Sequence, residues 1–250
     1  NNPTGPNSPT ATTNAPVCAG STLTVGVNAT AGGAYQWSGP LFYNSGLQNN
    51  TVSTSASVGM SGTYKVVVTL NGCQDSSTVN VIVNDNPSAS AGSGGEYCFG
   101  SGGSVVLGGA PTASGGSSGT YTYLWSPAGN LSSTTNSNPT ANPASTITYT
   151  VSVTDGNGCT ATSTATVSVN LNPTANAGAA TQSICNGVSV IIGGNPTASG
   201  GTPGYTYSWN NGAAAFANPD VSPTSTTIYT VTVTDSKSCT ARASTVVSLN

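Results

Sequence analysis

Residues 229–239 read YTVTVTDSKSC, and two related stretches precede them, YTVSVTDGNGC at 149–159 and YKVVVTLNGC at 64–73. In 229–235 the Tyr and both Val residues fall on one face and the Thr residues on the other. This period of two is typical of a half-buried β-strand rather than a helix. A short polar turn follows each stretch and leads through a cysteine into a second alternating strand, so each stretch predicts a β-hairpin.

Each hairpin closes a longer block that occurs three times. The tryptophans Trp37, Trp125 and Trp209 recur at intervals of about 85 residues, which suits a small domain and is too long for a solenoid unit. The joining stretches also repeat, as Asn-Asp-Asn-Pro at 84–87 and Asn-Leu-Asn-Pro at 170–173. Because proline restricts these short linkers, we expect the domains to sit end to end with limited bending.

The strands of each block are short and are separated by turns rich in Gly, Pro and Asn, and no segment has a capped amphipathic helical pattern. The pattern predicts an all-β fold, a tandem array of three immunoglobulin-like β-sandwich domains. The predicted bounds are 1–16 for an extended N-terminal segment, 17–84 for domain 1, 85–170 for domain 2 and 171–250 for domain 3. We expect the array to continue beyond residue 250, and any export signal to lie outside this chain. The N-terminal segment is a candidate for lying along a neighbouring domain.

Charge is scarce. Charged residues make up 4% of the chain, with Lys65, Lys237 and Arg242 as its cations and no histidine. Three scattered cations cannot neutralise phosphates, which excludes nucleic acid as a partner, and no apolar run is long enough for a membrane span. Strand edges without charge invite pairing, so we expect association with other copies or further repeats. We also expect the oxidised chain to resist trypsin.

Each block holds two cysteines: a leading cysteine before its opening strand and a hairpin cysteine at the start of its last strand. The leading cysteines are Cys18, Cys98 and Cys185, and the hairpin cysteines are Cys73, Cys159 and Cys239. Without histidine, CxxC pairs or a partner base, structural disulfides are favoured over zinc sites or catalytic thiols. Repeat symmetry predicts one bridge in each block, Cys18–Cys73, Cys98–Cys159 and Cys185–Cys239. Disulfides indicate an oxidising compartment, extracellular or at the cell surface.

The predicted core residues are one tryptophan and one hairpin tyrosine from each block: Trp37, Trp125, Trp209, Tyr64, Tyr149 and Tyr229. The alternative is a sugar-stacking platform, since each tryptophan follows a tyrosine by two residues at Tyr35, Tyr123 and Tyr207. One tryptophan at the same place in every block favours the core.

Little in the chain points to catalysis or to a cofactor. Asp155 and Asp235 beside the hairpin turns are candidate calcium ligands, but a lone aspartate there more often caps its own turn. We therefore expect no cofactor. With no histidine and few acids, the chain offers neither a general acid–base pair nor a triad, which indicates that it is not an enzyme.

Block three reads SGGTPGYTYSWNNGA at 199–213 followed by YTVTVTDSKSCTA, and block two reads GGSSGTYTYLW at 115–125 followed by YTVSVTDGNGCTA. Both resemble the SprB-type repeat of giant surface adhesins from gliding Bacteroidetes. Block one looks more like the immunoglobulin-like domains of the same proteins, near the polycystic-kidney-disease (PKD-like) class. Ser238 stands where the repeat has glycine, and the Asp-rich turn of PKD repeats is missing, which argues against PKD-like calcium binding.

The resemblance implies export by the type IX system and a place in a long cell-surface filament or adhesin, for gliding or biofilm attachment. It identifies no ligand. The alternative function is that of carbohydrate-binding or spacer modules in a secreted polysaccharide-degrading enzyme, with surface polysaccharide as the partner. Such modules need exposed aromatic residues on one face, and the candidates are Phe42, Tyr43 and Phe216.

Overall fold

The structure is a computed structural model that describes residues 5–250. It is an all-β tandem array of three immunoglobulin-like domains, each with an apolar core of its own. The first four residues of the predicted N-terminal segment lie outside the described residues.

Domain 1 is a sandwich of two main sheets. Its strands are β1 (Ala11–Thr13), β2 (Val17–Cys18), β3 (Leu23–Val27), β4 (Ala34–Gly39), β5 (Tyr43–Ser45), β6 (Asn49–Ser53), β7 (Gly62–Leu70), β8 (Cys73–Val81) and β9 (Val83–Asn84), with 3-10 turns at Pro40–Phe42 and Val58–Met60. The sheet β5-β4-β7-β8 and the sheet β1-β3-β6 both contribute residues to one core. Because β1 pairs antiparallel with β3, Ala11–Thr13 of the predicted N-terminal segment form part of a sheet of domain 1.

Domains 2 and 3 share one plan. The strands of domain 2 are β10 (Pro87–Ala89), β11 (Gly95–Cys98), β12 (Val105–Val106), β13 (Ala113–Gly115), β14 (Tyr121–Ser126), β15 (Thr140–Ala141), β16 (Ile147–Asp155) and β17 (Thr160–Asn170). Those of domain 3 are β18 (Pro173–Ala175), β19 (Thr181–Ile184), β20 (Val190–Ile191), β21 (Ala198–Gly200), β22 (Thr206–Trp209), β23 (Asp220–Val221), β24 (Thr227–Thr234) and β25 (Thr240–Leu249). The four-stranded sheets run β11-β17-β16-β14 and β19-β25-β24-β22, and two-stranded ladders complete each sandwich.

The three predicted hairpins are present as β7–β8, β16–β17 and β24–β25. Their alternation buries one face: Tyr149, Val151 and Val153 are fully buried, while the intervening Thr150 and Ser152 are only half-buried. This face provides the apolar surface against which the opposite layer packs.

All six predicted core residues are buried. Trp37, Trp125 and Trp209 are 0%, 1% and 8% exposed, and Tyr64, Tyr149 and Tyr229 are buried beside them. The indole N–H of Trp125 donates to the carbonyl of Asn136 at 2.9 Å, and that of Trp209 to the carbonyl of Phe216 at 3.0 Å. These rings therefore belong to the cores and cannot form a sugar-stacking surface.

A short strand near the start of each domain pairs in parallel with the last strand. In domain 2, Gly95 lies beside Val167 and Cys98 beside Asn170, at the far end of β17. In domain 1, Cys18 lies beside Asn84 in the same way. The leading cysteine is thus carried to the end of the domain that faces the next domain.

Candidate functional site

The disulfides join neighbouring domains. Cys18 of domain 1 is bonded to Cys159 of domain 2, and Cys98 of domain 2 to Cys239 of domain 3, each across a sequence separation of 141. Cys73 and Cys185 are free thiols. The predicted pairing of one bridge within each block is therefore wrong. The observed rule links the leading cysteine of one domain to the hairpin cysteine of the following one.

The reason is the parallel strand. Cys159 comes directly before β17 and Cys98 lies beside Asn170 at its end, so the two cysteines of domain 2 are separated by the whole strand. Eleven residues of β-strand span about 35 Å, whereas a disulfide needs Cα atoms within about 7 Å. A bridge inside the domain is geometrically excluded. The Cα atoms of the observed pairs are 5.6 and 5.5 Å apart.

A buried aspartate fixes each bonded hairpin cysteine. One carboxylate oxygen of Asp155 accepts backbone N–H groups of Asn157 and Cys159, both at 2.9 Å. The equivalent oxygen of Asp235 accepts those of Lys237 and Cys239 at the same distance. Each aspartate thus caps its own turn, as its position predicts, and holds the backbone of the cysteine in place.

Asp235 has a further donor. Its second carboxylate oxygen accepts the backbone N–H of Thr202 at 2.9 Å, whereas the second oxygen of Asp155 has no hydrogen-bond partner. Burial raises the pKa of Asp235, but the backbone donors of Thr202, Cys239 and Lys237, with the Lys237 charge, outweigh it and hold this pKa below its ordinary value. At neutral pH Asp235 therefore accepts these hydrogen bonds as a carboxylate.

The leading cysteines are followed by a repeated turn. The carbonyl of Cys18 accepts the N–H of Ser21 at 3.0 Å, and that of Cys98 the N–H of Ser101 at 3.1 Å. The residue before each serine is a glycine with positive φ (86° and 71°), which the left-handed position of such a turn requires.

The linker asparagines hold this turn against the next domain. The side-chain amide of Asn86 donates to the carbonyl of Ala19 at 3.0 Å, and that of Asn172 to the carbonyl of Phe99 at 3.1 Å. Ala19 and Phe99 each directly follow a leading cysteine. The second asparagine of the Asn-x-Asn-Pro linker is thus part of the junction. The sequence had predicted only a short, restricted linker at this place.

The second junction contains one ion pair. Lys237 Nζ lies 2.9 Å from a carboxylate oxygen of Glu96, and the contact holds the pKa of Glu96 below its ordinary value. Both side chains are substantially exposed, so this pair contributes little to the stability of the junction.

The other candidate sites are not assembled in the described part of the chain. Residues 5–250 contain no group of three or more His, Cys, Asp or Glu side chains that could hold a metal ion. Within the same residues, no helix is both long and apolar enough to cross a membrane.

The aromatic candidates for sugar binding are scattered. Phe42 is fully exposed on domain 1, and Phe216 is exposed on domain 3. Tyr43 packs edge-on against the core Tyr64 with ring centroids 5.4 Å apart. The three therefore do not share a face. An open groove on domain 2 contains Tyr121 and Tyr123, with Asn136 and Asn138 opposite.

Comparison with known proteins identifies the architecture alone. No family model matches the chain, and no curated protein matches it. Among solved structures it is similar to the I67–I69 fragment of the titin I-band, with 13% identity over 98% of this chain and 99% of that one and a TM-score of 0.50. A mutated variant of the same three-domain titin fragment gives 12% identity, 99% coverage of both chains and a TM-score of 0.49. At this identity the likeness establishes the fold alone, a tandem array of three immunoglobulin-like domains.

Proposed function

We propose that the chain is a non-catalytic structural segment of an extracellular filament or adhesin at the cell surface. The observation that carries the proposal is that each pair of neighbouring domains is joined twice, by the peptide linker and by a disulfide. A carrier of passive binding modules has no need for a second covalent connection. A segment that transmits tension along its length gains from one, because a break in either connection leaves the other intact.

The chemistry of the surface supports the same role. The chain has a formal net charge of −3 and hydroxyl-rich strand faces, with no histidine. Its buried aspartates are used to hold the junction cysteines. The persistence of the two bridges requires an oxidising environment, which supports a location outside the cytoplasm. The finer assignment, to a type IX-exported surface filament of the gliding Bacteroidetes, rests on the resemblance of the repeats.

Immunogold electron microscopy of the source cells tests the proposal. Antibodies raised against the oxidised three-domain chain are expected to label surface filaments along their length. Labelling of soluble, discrete enzyme particles in the medium would instead support the accessory-module alternative. Labelling confined to the cytoplasm would refute both.

The polysaccharide-binding alternative has a direct test in the domain 2 groove. The hydroxyl of Tyr121 already donates to the carbonyl of Gly115 at 2.6 Å, and Tyr123 is half-buried beside it. If the groove binds sugar, Tyr123→Ala must abolish retention of the chain on a polysaccharide column. We expect that the wild-type chain is itself not retained on the column.

A further inference from the structure

Cys73 and Cys185 are chemically matched to each other. Cys73 is a hairpin cysteine at the start of β8, the second strand of the domain 1 hairpin, and Cys185 is the leading cysteine of domain 3. Each bridge in the molecule joins one cysteine of each kind across a junction. The chain therefore carries one unpaired half of such a bridge in domain 1 and the complementary half in domain 3.

Cys185 has the local geometry of the leading cysteines that are already bonded. It follows Ile184, which pairs in parallel with Leu249, so Cys185 lies at the end of the last strand as Cys18 and Cys98 do. Its carbonyl accepts the N–H of Val188 at 3.1 Å, and Gly187 has φ of 82°. The turn is the same one that follows Cys18 and Cys98, and the thiol is exposed.

Cys73 follows the turn of its hairpin as the bonded hairpin cysteines do, with a turn one residue shorter and Leu70 in the place of their aspartate. It pairs with Leu70 across the β7–β8 turn, as Cys159 hydrogen-bonds with Asp155 across the next domain's turn. The backbone of Gly5 passes against it, so that a Cβ added to Gly5 would lie 3.3 Å from the Cys73 Cβ. Cys73 itself is half-exposed.

We propose that Cys185 of one copy of this chain forms a disulfide with Cys73 of the next copy, so that copies join head to tail through a third junction of the kind seen twice within the chain. Domain 3 of one copy is then joined to domain 1 of the following copy in the way that domain 1 is joined to domain 2 within a chain. The partner is a second copy because this chain carries both complementary halves. The proposal rests on the filament role above and names the partner within that filament.

The bond forms by thiol–disulfide exchange with a small-molecule disulfide as oxidant. The Cys185 thiolate attacks one sulfur of that disulfide, forming a mixed disulfide and releasing one small thiolate. The Cys73 thiolate of the next copy then attacks the Cys185 sulfur and releases the second small thiolate. The two protons lost by the cysteines go to the two small thiols, and two electrons pass from the cysteine sulfurs to the oxidant.

The experiment uses the purified full chain in a buffer of oxidised and reduced glutathione. Non-reducing electrophoresis is expected to show a ladder in steps of one 24.4 kDa chain, collapsing to a single band on reduction. Mass spectrometry of the ladder is expected to find Cys73 peptides joined to Cys185 peptides.

Two single variants provide the matched control. Cys185→Ser retains Cys73, and Cys73→Ser retains Cys185, and both keep the two internal bridges. Mixed together, they are expected to give covalent dimers and no higher steps, with about tenfold or more dimer than either variant alone, because two thiols of the same kind do not meet in junction geometry.

Three results would overturn the inference. The first is equal dimerisation of the variants alone and mixed, and the second is a wild-type chain that stays monomeric under these conditions with both thiols reactive. The third is a Cys185 peptide, in material from the source cells, joined to a sequence outside this chain. Each of these leaves surface labelling of filaments untouched, whereas failure of that labelling refutes the filament role even if copies link in the test tube.

Discussion

At Asp235 three backbone N–H groups converge on one carboxylate, which sits at the base of the turn that presents Cys239. Asp155 occupies the equivalent place in domain 2 with two such donors on one oxygen and none on the other. The two sites therefore form a natural comparison of the same side chain with and without a partner on its second oxygen.

We predict that Asp235→Asn lowers the free energy of unfolding of domain 3 by about 2 kcal/mol, and that Asp155→Asn costs domain 2 less. An asparagine at 235 keeps its oxygen on the turn and directs its amide N–H groups at the N–H of Thr202, so two donors face each other. At 155 the amide meets no donor. Urea titration followed by amide NMR signals of each domain measures both costs. Equal costs at the two positions would contradict the argument.

The pH dependence follows from the same contacts. The pKa of Asp235 is held below its ordinary value of 3.8 in the folded chain. Its stabilisation of the hairpin is thus fully present above this value and is lost as pH falls through the folded pKa. The stability advantage of the wild type over Asp235→Asn should therefore shrink in the acid range below about pH 4 and remain constant from neutral pH down to it.

At the scale of strands, local sequence predicted much of the fold. The alternation of Tyr229, Val231 and Val233 predicted a hairpin with one buried face, and the structure buries all three. Symmetry among the blocks predicted three domains with equivalent cores. These features depend on the period of two and on the repeat, both of which are visible in the letters.

The disulfide pairing depends on a contact that local sequence does not encode. The leading cysteine is placed by the parallel pairing of β11 with β17, strands far apart in the chain. Repeat symmetry is satisfied equally by a bridge within each block and by a bridge from each block to the next. Only the second pattern leaves Cys73 and Cys185 unpaired, and only the register of the parallel strands distinguishes the two patterns.

Removal of a junction bridge should loosen the array without unfolding its domains. We predict that Cys98→Ser combined with Cys239→Ser lowers domain 3 stability by much less than the about 2–5 kcal/mol typical for a bridge within a small domain. The range of shapes should widen, because the linker, the Asn172 contact and one exposed ion pair then hold domains 2 and 3 together without a covalent bridge. Urea unfolding and small-angle X-ray scattering measure the two effects.

The matched control is Cys73→Ser combined with Cys185→Ser, which leaves both internal bridges in place and should scatter as an extended, stiff rod. A scattering profile that is the same for both double variants would mean that the linker alone fixes the junction.

Over the whole molecule the bridges form a second covalent route along the array. The Cys18–Cys159 bridge connects domain 1 to domain 2, and the Cys98–Cys239 bridge connects domain 2 to domain 3. Each bridge runs alongside one of the two peptide linkers. The linkers themselves are accessible, since Asp85 and Leu171 are exposed and each is followed by asparagine. A cut in a linker thus distinguishes a singly joined array from a doubly joined one.

We predict that a chain cut at a linker stays in one piece until it is reduced. Asp85→Arg introduces a trypsin site in the first linker and Leu171→Arg one in the second, each in a Cys73→Ser, Cys185→Ser background that prevents joining between copies. Among the wild-type cations, Lys65 lies in a strand paired on both sides and Arg242 lies within β25, so both are poor sites. Lys237 lies exposed in the turn before β25, and a cut there leaves the C-terminal piece bridged through Cys239 to Cys98 until reduction. After trypsin, each variant should run as a single uncut-sized species without reductant and as separated fragments with it. Bridges confined to single domains would release residues 1–85 or 1–171 without any reductant, so the appearance of either free fragment would refute the junction pairing and with it the second route for tension.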